Sequence, residues 1–400
     1  MLAEYTTLGV GGPAARFVEA ESDDEVIAAV RDADAVGEPV LVLGGGSNLV
    51  VADEGFPGVV VHVATKGVRV TPGPGGGGAG GGGGADGGGA GGGAGGGGAG
   101  GGAGAAELTV AAGEDWDALV ERCVAEGLSG VECLSGIPGL AGATPIQNVG
   151  AYGQEVAETV VSVRAYDRVR DAVVELANAE CGFGYRTSAF KRSGAAARGP
   201  DRGGRAALDP ASATGRFVVL GVTFRLARAP LSAPVRYREL ARTLGAGEGD
   251  RVPLAEARAA VLTLRRGKGM VLDPGDPDTR SAGSFFTNPV IGQRQYDEVR
   301  RRAAARSGQP EAEVSVPHFP APDGLVKVPA GWLIEHAGFA KGYPGHGSAR
   351  ISSKHTLALT NLGDATAASL IGLAREIRDG VRQAFGVDLV SEPVLIGAAL

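Results

Sequence analysis

A glycine-rich turn is the first segment whose residue types suggest ligand chemistry. Residues 44–48 (GGGSN) follow an apolar run at residues 39–43 (PVLVL) that predicts a buried strand. Because glycines lack side chains, their backbone N–H groups can approach an anion such as a pyrophosphate. The spacing does not match G-x-G-x-x-G, so it gives no support to a Rossmann site. On this segment alone, an ordinary tight turn is an equally good interpretation.

A second glycine-rich segment, residues 135–153, is not built like a linker. Its sequence, SGIPGLAGATPIQNVGAYG, contains five Gly and two Pro with apolar side chains interleaved among polar ones. The interleaved apolar residues predict a loop that is ordered against the core, and ordered loops of this kind commonly hold a ligand. A purely structural meander is the alternative.

Arg186, Ser284 and Glu392 are candidate catalytic residues, but their residue types alone do not show a catalytic role. By default Ser284 is a turn or cap serine, Arg186 a surface cation or ion-pair partner, and Glu392 a solvated carboxylate. The five His show no metal-binding spacing, and the three Cys lack a C-x-x-C pair. No metal site is therefore predicted.

The elements that must position these residues are predicted from caps and apolar periodicity. Ser22 and Glu25 form a capping box ahead of a helix, so about the first 66 residues have a βαβ-like pattern. Helices are predicted at residues 115–126, 254–265, 295–305, 330–337 and 366–385. Strands are predicted at residues 59–63, 68–71, 108–112, 159–166, 172–176, 217–226 and 356–360.

Two tracts of biased composition interrupt these elements. Residues 73–104 contain 24 Gly in 32 positions, with Ala, one Pro and one Asp as the remainder. Such a tract buries nothing to offset its ordering entropy, which predicts a disordered, flexible insertion in the hairpin of residues 68–71 and 108–112. Closure entropy grows slowly with loop length, so the hairpin tolerates it. Residues 193–215, rich in Gly, Ala, Arg and Pro, predict a second insertion.

Composition narrows the class of protein. Apolar residues make up 44% and charged residues 21% of the 400 positions, which is typical of globular chains and unlike disordered ones. A net charge of -7 without a block of Lys and Arg argues against nucleic acid and anionic lipid as ligands. With no run of 18 apolar residues and three Cys, we expect a cytoplasmic protein without membrane insertion that binds a small molecule.

Five motifs in order give the chain a specific resemblance. Residues 44–48 and 135–153 resemble the FAD-binding segments of UDP-N-acetylenolpyruvoylglucosamine reductases, flavoenzymes of bacterial peptidoglycan synthesis in the vanillyl-alcohol-oxidase-like FAD superfamily. Residues 183–191 (FGYRTSAFK), 282–289 (AGSFFTNP) and 391–393 (SEP) are similar to later motifs of the same family. Together they span almost the whole chain, although neither tract of biased composition has a counterpart in the family.

The resemblance implies an α+β fold with a two-part FAD-binding unit and a separate α+β substrate-binding domain. The first FAD-binding part is residues 1–66, and the second is residues 67–273 together with 386–400. The substrate-binding domain is residues 274–385.

The resemblance also implies a reaction. NADPH reduces non-covalently bound FAD, and a hydride then passes to the enolpyruvyl ether of UDP-N-acetylglucosamine, giving UDP-N-acetylmuramate. Arg186 and Glu392 are implied to stabilise the charge that develops on the substrate carboxylate. Ser284 is implied as the proton donor, and Glu392 as either an acid or an orienting partner. The alternative function is that of another FAD-dependent oxidoreductase or oxidase of the same superfamily. A non-catalytic glycine-rich scaffold or ligand sensor is a third possible function.

Binding residues are implied in the same way. Substrate contacts are implied for Tyr185, Tyr237, Lys268 and Asn288, with Tyr237 as the lid tyrosine of one of the two family subtypes. FAD contacts are implied for Gly44, Gly45, Gly46, Ser47, Asn48, Gly136, Ile137, Pro138, Gly139, Gly142, Pro145, Gln147, Asn148, Gly150, Ala151, Tyr152 and Gly153. No His lies in either FAD motif, which argues against the covalent FAD tether common among oxidases of this superfamily.

Overall fold

The computed structural model describes residues 1–73, 104–191 and 213–400, and it confirms the predicted α+β fold class. Almost all of the predicted insertions at residues 73–104 and 193–215 lies outside these ranges. Among the helices that the structure describes, none is long and apolar enough to cross a membrane. The same three ranges contain no cluster of His, Cys, Asp or Glu placed to hold a metal ion.

The first unit is a small parallel sheet covered by one helix. Its strands run in the order β1-β4-β2, and β3 lies outside this sheet. Ser22 caps helix α1 reciprocally with Glu25, as predicted, and Gly37 ends the helix in the left-handed region at φ 68°. The elements are β1 (Ala14–Ala20), α1 (Asp23–Val36), β2 (Val40–Leu43), β3 (Leu49–Val51) and β4 (Phe56–Val63).

The second unit is a six-stranded antiparallel sheet. Its main order is β11-β10-β12-β6-β5, and β7 pairs with β12. Trp116 is buried at the start of α2, where its indole N–H donates to Leu134 O at 3.1 Å. The strands are β5 (Val68–Pro72), β6 (Ala105–Ala111), β7 (Leu128–Ser129), β10 (Val160–Asp167), β11 (Ala172–Ala177) and β12 (Phe217–Arg228), and a separate small hairpin contains β8 (Gly150–Ala151) and β9 (Gln154–Glu155). The helices are α2 (Trp116–Ala125), α3 (Asn178–Cys181), α4 (Arg238–Leu244) and α5 (Leu254–Gly267).

The third unit has two small sheets packed around a long amphipathic helix, α8. Thr366 caps α8 at the predicted residue, and the helix buries an apolar stripe that includes Leu370, Ile377 and Phe385. The helices are α6 (Gln293–Ser307), α7 (Ala330–Ala337) and α8 (Ala367–Phe385). The strands are β13 (Ser281–Ser284), β14 (Val290–Ile291), β15 (Phe319–Pro320), β16 (Val326–Lys327), β17 (Ala349–Ile351) and β18 (Ala358–Asn361), and the last strand, β19 (Val394–Ile396), pairs with β3 of the first unit.

The first and third units are joined by hydrogen bonds and by a shared core. Both carboxylate oxygens of Asp53 accept from the first turn of α8, from Ala367 N at 2.8 Å and Ala368 N at 2.9 Å. A carboxylate at this position also matches the positive end of the helix dipole. Leu8 and Val50 are buried in the same apolar cluster as α8. These contacts fix the third unit against the first, whereas the predicted domain boundaries stay a prediction.

We expect the glycine-rich tract to be dispensable. Gly73 N donates to Ala105 O at 2.8 Å, so the tract begins and ends at neighbouring positions of the β5–β6 hairpin. A short turn can therefore replace residues 75–102 without moving either strand. The flavin content of the purified protein and its turnover should stay within about twofold of the parent, since a tract of Gly and Ala offers almost no side chain for binding or burial. A soluble shortened variant that purified without flavin would contradict this.

Candidate active site

The two glycine-rich segments, residues 44–48 and 135–153, lie against each other. A Cβ atom on Gly45 would come within 2.8 Å of Gly139 Cα, and one on Gly139 would lie 2.7 Å from Ser47 Oγ. Gly139 also has φ +121°, which side chains disfavour. The segments therefore meet at backbone distance, which only glycine permits. Backbone groups exposed in this way fit the pyrophosphate of a dinucleotide cofactor.

A cavity of about 420 Å³ lies beside this contact. Gly44 and Gly45 form part of its wall, together with Tyr5 and His62. The rings of Tyr5 and His62 meet edge to face with their centroids 5.2 Å apart. Exposed backbone and aromatic faces next to one another suit a nucleotide, which carries both phosphate and an aromatic base.

The side-chain amides of Gln147 and Asn148 hold the second glycine-rich segment in place. Asn148 is buried, and its side chain donates to Glu155 Oε2 at 2.7 Å and to Gly184 O at 3.1 Å. Gln147 Oε1 accepts from Lys191 Nζ at 2.6 Å. These bonds tie the loop to the segment that carries Arg186. The FAD contacts predicted for Gln147 and Asn148 stay predictions.

The other predicted cofactor residues lie along the same loop. Gly136 N donates to Asp117 Oδ1 at 2.6 Å, and Gly142 packs so closely that a Cβ would lie 2.4 Å from Ala112 Cβ. The hairpin of β8 and β9 contains Gly150, Ala151, Tyr152 and Gly153. Ile137 lies half-buried against the main core, and Pro145 O accepts from Asn148 N in a turn. Gly46 has φ +56° and approaches Tyr5 O, and Pro138 is half-buried.

Arg186 and Glu392 form an ion pair although they are far apart in sequence. Arg186 Nε lies 2.9 Å from Glu392 Oε1, and Arg186 Nη2 donates to Gly150 O at 2.9 Å. The Nε–H is buried and not aligned for a hydrogen bond with any acceptor in the described residues. A buried donor without an aligned acceptor is uncommon in proteins, and here the Glu392 carboxylate stands 2.9 Å from it. Arg186 is held with φ +52°, a strained backbone conformation typical of functional sites.

Burial changes the titration of the carboxyl group in this pair. It raises the pKa of Glu392, and the positive charges of Arg186 and Lys191 oppose that rise. Burial also lowers the pKa of Lys191. A carboxyl group with a raised pKa keeps its proton to higher pH than an ordinary glutamate, and can donate a hydrogen bond more readily.

Backbone pairing brings Ser284 to the same place. Ser284 ends β13 and pairs with Ala358, and the next residue, Phe285, accepts from Glu392 N at 2.8 Å. Glu392 is in turn held from the first unit, because Asn48 Nδ2 donates to its carbonyl oxygen at 3.3 Å. The three predicted catalytic residues are thus carried by segments that contact one another.

Strand β19 explains why a residue so near the C-terminus reaches this site. Val394 pairs in parallel with Leu49, and Val394 N donates to Asn48 O at 2.9 Å. The chain therefore returns from the third unit to the glycine turn of the first. Glu392 lies where the chain passes from its contact with Phe285 in the third unit to the pairing of Val394 in the first.

A second group of side chains contains Lys268, Tyr152, Tyr237 and Glu239. Lys268 Nζ lies 2.5 Å from Glu239 Oε2 and 5.6 Å from the centre of the Tyr152 ring. The Tyr152 and Tyr237 rings meet edge to face at 5.4 Å. Burial raises the pKa of Tyr152 to about 12, so its hydroxyl stays protonated. Tyr152 lies in the same hairpin as Gly150, whose carbonyl oxygen accepts from Arg186. The group around Lys268 is therefore next to the Arg186–Glu392 ion pair.

Tyr185 and Asn288 are the two remaining residues predicted to contact the substrate. Tyr185 is 41% exposed, and Lys327 Nζ stands 4.9 Å above its ring. Asn288 Oδ1 accepts from Ala330 N at 2.9 Å, which fixes the side chain and leaves its amide N–H₂ group as a donor for a ligand. The exposed face of Tyr185 and the cation above it are accessible to a ligand.

Sequence patterns missed Glu239, Lys327 and Lys191 as members of the site. Lys191 stands in a motif quoted above, but nothing in the pattern shows that its ammonium group reaches Gln147. Glu239 and Lys327 carry no motif signal, since a single charged residue is by default a solvated surface group.

Comparison with known proteins identifies the family. Residues 14–176 match the model of an FAD binding domain, and residues 276–396 match that of the UDP-N-acetylenolpyruvoylglucosamine reductase C-terminal domain. The UDP-N-acetylenolpyruvoylglucosamine reductase of Thermobifida fusca is 53% identical over 399 residues, covering 100% of this chain and 97% of that protein. The chain belongs to the UDP-N-acetylenolpyruvoylglucosamine reductase family.

A second relative supports this assignment, and a solved structure shows the same fold. The UDP-N-acetylenolpyruvoylglucosamine reductase of Streptomyces coelicolor is 52% identical, covering 100% of this chain and 90% of that protein. The crystal structure of UDP-N-acetylenolpyruvylglucosamine reductase from Thermus caldophilus superposes with a TM-score of 0.53 at 24% identity, covering 99% of this chain and 97% of that one. The latter shows a shared fold. The predicted family and FAD cofactor are confirmed.

Proposed function

We propose that this reductase-family chain converts the enolpyruvyl ether of UDP-N-acetylglucosamine to UDP-N-acetylmuramate, with FAD as cofactor and NADPH as reductant. The relatives named above and the match to the FAD binding domain support this reaction. The observation that carries it to particular residues is the arrangement of Arg186, Glu392 and Ser284 beside the glycine segments. The three free cysteines are buried, as expected for the reducing cytoplasm where we place the reaction.

The cofactor would be held by the backbone of residues 44–48 and 135–153. When bound there, FAD supplies the hydride that adds to the enolpyruvyl carbon. Because Gly45 and Gly139 allow the two segments to touch, the backbone N–H groups between them are fixed before any ligand arrives. No side chain of this groove needs to take part in proton transfer.

Arg186 binds the carboxylate of the substrate in this proposal. Adding a hydride to the enolpyruvyl group pushes charge onto that carboxylate, which becomes enolate-like. The Arg186 guanidinium is a preorganised cation for it, with Nη2 anchored on Gly150 O and Nε beside Glu392. A donor fixed before the reaction stabilises developing charge without a reorganisation cost.

Ser284 donates the proton that completes the reduction, at the carbon next to the substrate carboxylate. A serine hydroxyl is a weak acid, and it suffices because a carbanion-like centre is a strong base. Glu392, with its raised pKa, is placed to act on the same charge, either as an acid or as a hydrogen-bond partner that orients the substrate.

The nucleotide end of the substrate requires cations for its diphosphate. Lys268 and Lys327 stand over the Tyr152 and Tyr185 rings respectively, and both rings lie next to the Arg186 region. Tyr237, 43% exposed at the start of α4, is placed to cover a ligand bound at Lys268. Asn288 is left with amide donors for the same ligand.

The purified protein should be yellow, and NADPH should bleach its flavin absorbance without oxygen. Adding the enolpyruvyl ether should then restore the absorbance within seconds, because the substrate accepts the hydride. An oxidase of the same superfamily would instead recover its absorbance on admission of oxygen and ignore the enolpyruvyl ether. Stopped-flow absorbance with each acceptor in turn distinguishes the two, and a colourless protein that binds no flavin would exclude both.

A further inference from the structure

The ammonium group of Lys268 is already occupied when no ligand is bound. Its Nζ lies 2.5 Å from Glu239 Oε2, and the two side chains keep 31% and 38% of their surface exposed. A contact this close neutralises the lysine charge toward an approaching anion. Because both groups still meet solvent, the carboxylate can be displaced without opening the core.

The other basic side chains near Lys268 are less suited to bind an anion. Burial and the charges of Lys268 and Lys341 lower the pKa of His355 to about 4, so His355 is uncharged at neutral pH. Arg265 keeps its charge, but its Nη2 is held on Met270 O at 2.7 Å and its Nε is buried. Lys268 is partly exposed beside the Tyr152 ring, so we expect an anion arriving there to meet the Lys268 charge first.

Glu239 is also coupled to the tyrosine that would cover the ligand. Tyr237 precedes helix α4 and Glu239 lies in its first turn, so both belong to one short segment. The ion pair holds this segment with the Tyr237 ring edge-on to Tyr152 at 5.4 Å. Displacing the Glu239 carboxylate would release the restraint that fixes Tyr237 before binding.

We infer that Glu239 is an autoinhibitory counter-ion at the diphosphate site: its carboxylate occupies Lys268 until a phosphate-bearing ligand displaces it, which weakens binding of every such ligand. This inference rests on the proposed role of Lys268 in holding the substrate diphosphate. Partly exposed ion pairs couple weakly, so the penalty corresponds to about a 2- to 5-fold loss of affinity.

The inhibition constant of inorganic diphosphate against the enolpyruvyl substrate, measured on the FAD-loaded enzyme, tests this. Glu239→Gln should bind diphosphate about 2- to 5-fold more tightly than the parent. The difference should shrink at high salt, because screening weakens exposed charge pairs. Glu248→Gln is the matched control, since Glu248 is exposed and forms no ion pair within the described residues.

A Lys268→Gln background separates the role of Glu239 from that of Lys268. Glu239→Gln should have no effect there, because the cation it competes for is gone. Unchanged diphosphate binding in Glu239→Gln, with weakened binding in Lys268→Gln, would overturn the counter-ion role and leave the Lys268 proposal standing. Equal tightening in Glu248→Gln would overturn it as a general charge effect. Unchanged binding in Lys268→Gln would overturn the Lys268 proposal, and the inference with it.

Discussion

Ser284→Ala should uncouple the two halves of the reaction. NADPH should still bleach the flavin at the parent rate, because no step of that half-reaction requires the Ser284 hydroxyl. Reoxidation by the enolpyruvyl ether should slow by about 10²-fold or more, the range expected when a positioned proton donor is lost. Ser284 ends the short strand β13, whose pairing with Ala358 involves backbone atoms only, so the variant should keep its fold. Stopped-flow absorbance measures both steps in one sample.

Two companion variants show whether the hydroxyl itself matters. Ser284→Thr keeps a hydroxyl at a strand position that tolerates β-branched residues, and should recover part of the reoxidation rate. Ser307→Ala, at the far end of α6, removes a serine hydroxyl remote from the site and should leave both half-reactions unchanged. Equal slowing of both steps in Ser284→Ala would make Ser284 a structural residue, and the proton would then need another donor.

Much of the fold follows from short-range signals in the sequence. Ser22 with Glu25 marks the start of α1, Thr366 the start of α8, and Gly127 follows the end of α2. A cap, an apolar period and a terminal glycine are all local, so they can be recognised without tertiary information. The hairpin of β5 and β6 is likewise found where predicted, although a long tract separates its strands in sequence.

Contacts that depend on distant segments could not be predicted in this way. Strand β1 lacks a clear apolar alternation and is held by pairing with β4, which leaves no strong local pattern. β19 and β3 are three residues each and pair across about 345 positions of sequence. Tertiary pairing, rather than propensity, decides such short strands.

In the candidate site, too, the residues were predictable from local motifs but their contacts were not. Motif resemblance supplied Arg186, Ser284 and Glu392, and the structure brings them onto contacting segments. It could not supply the ion pair of Lys268 with Glu239, because charge type alone does not choose a partner among many exposed groups. Nor could it show that Asn148 is engaged with Glu155 and Gly184, since a buried amide and a ligand-binding amide have the same sequence signature.

Glu392→Gln should lower turnover by about 10²-fold while substrate affinity survives. The amide keeps the shape and one N–H donor opposite Arg186, but it cannot change its charge or release a proton. Because burial raises the pKa of Glu392, the parent carboxyl becomes protonated at higher pH than an ordinary glutamate as the pH falls. If that protonated form assists the reaction, reoxidation in the parent should accelerate as the pH falls through this pKa, and the variant should lose that dependence.

Steady-state and binding measurements together decide the role of Glu392. Loss of stabilisation made only in the transition state lowers kcat and kcat/KM together, whereas loss of uniform binding raises KM alone. Glu313→Gln, an exposed carboxyl of the third unit, removes the same charge far from Arg186 and should match the parent. A Glu392→Gln enzyme with parent kinetics and an unchanged pH profile would remove Glu392 from the catalytic group. Arg186 would then carry the substrate carboxylate without Glu392, and the return of β19 to β3 would serve the fold rather than the chemistry.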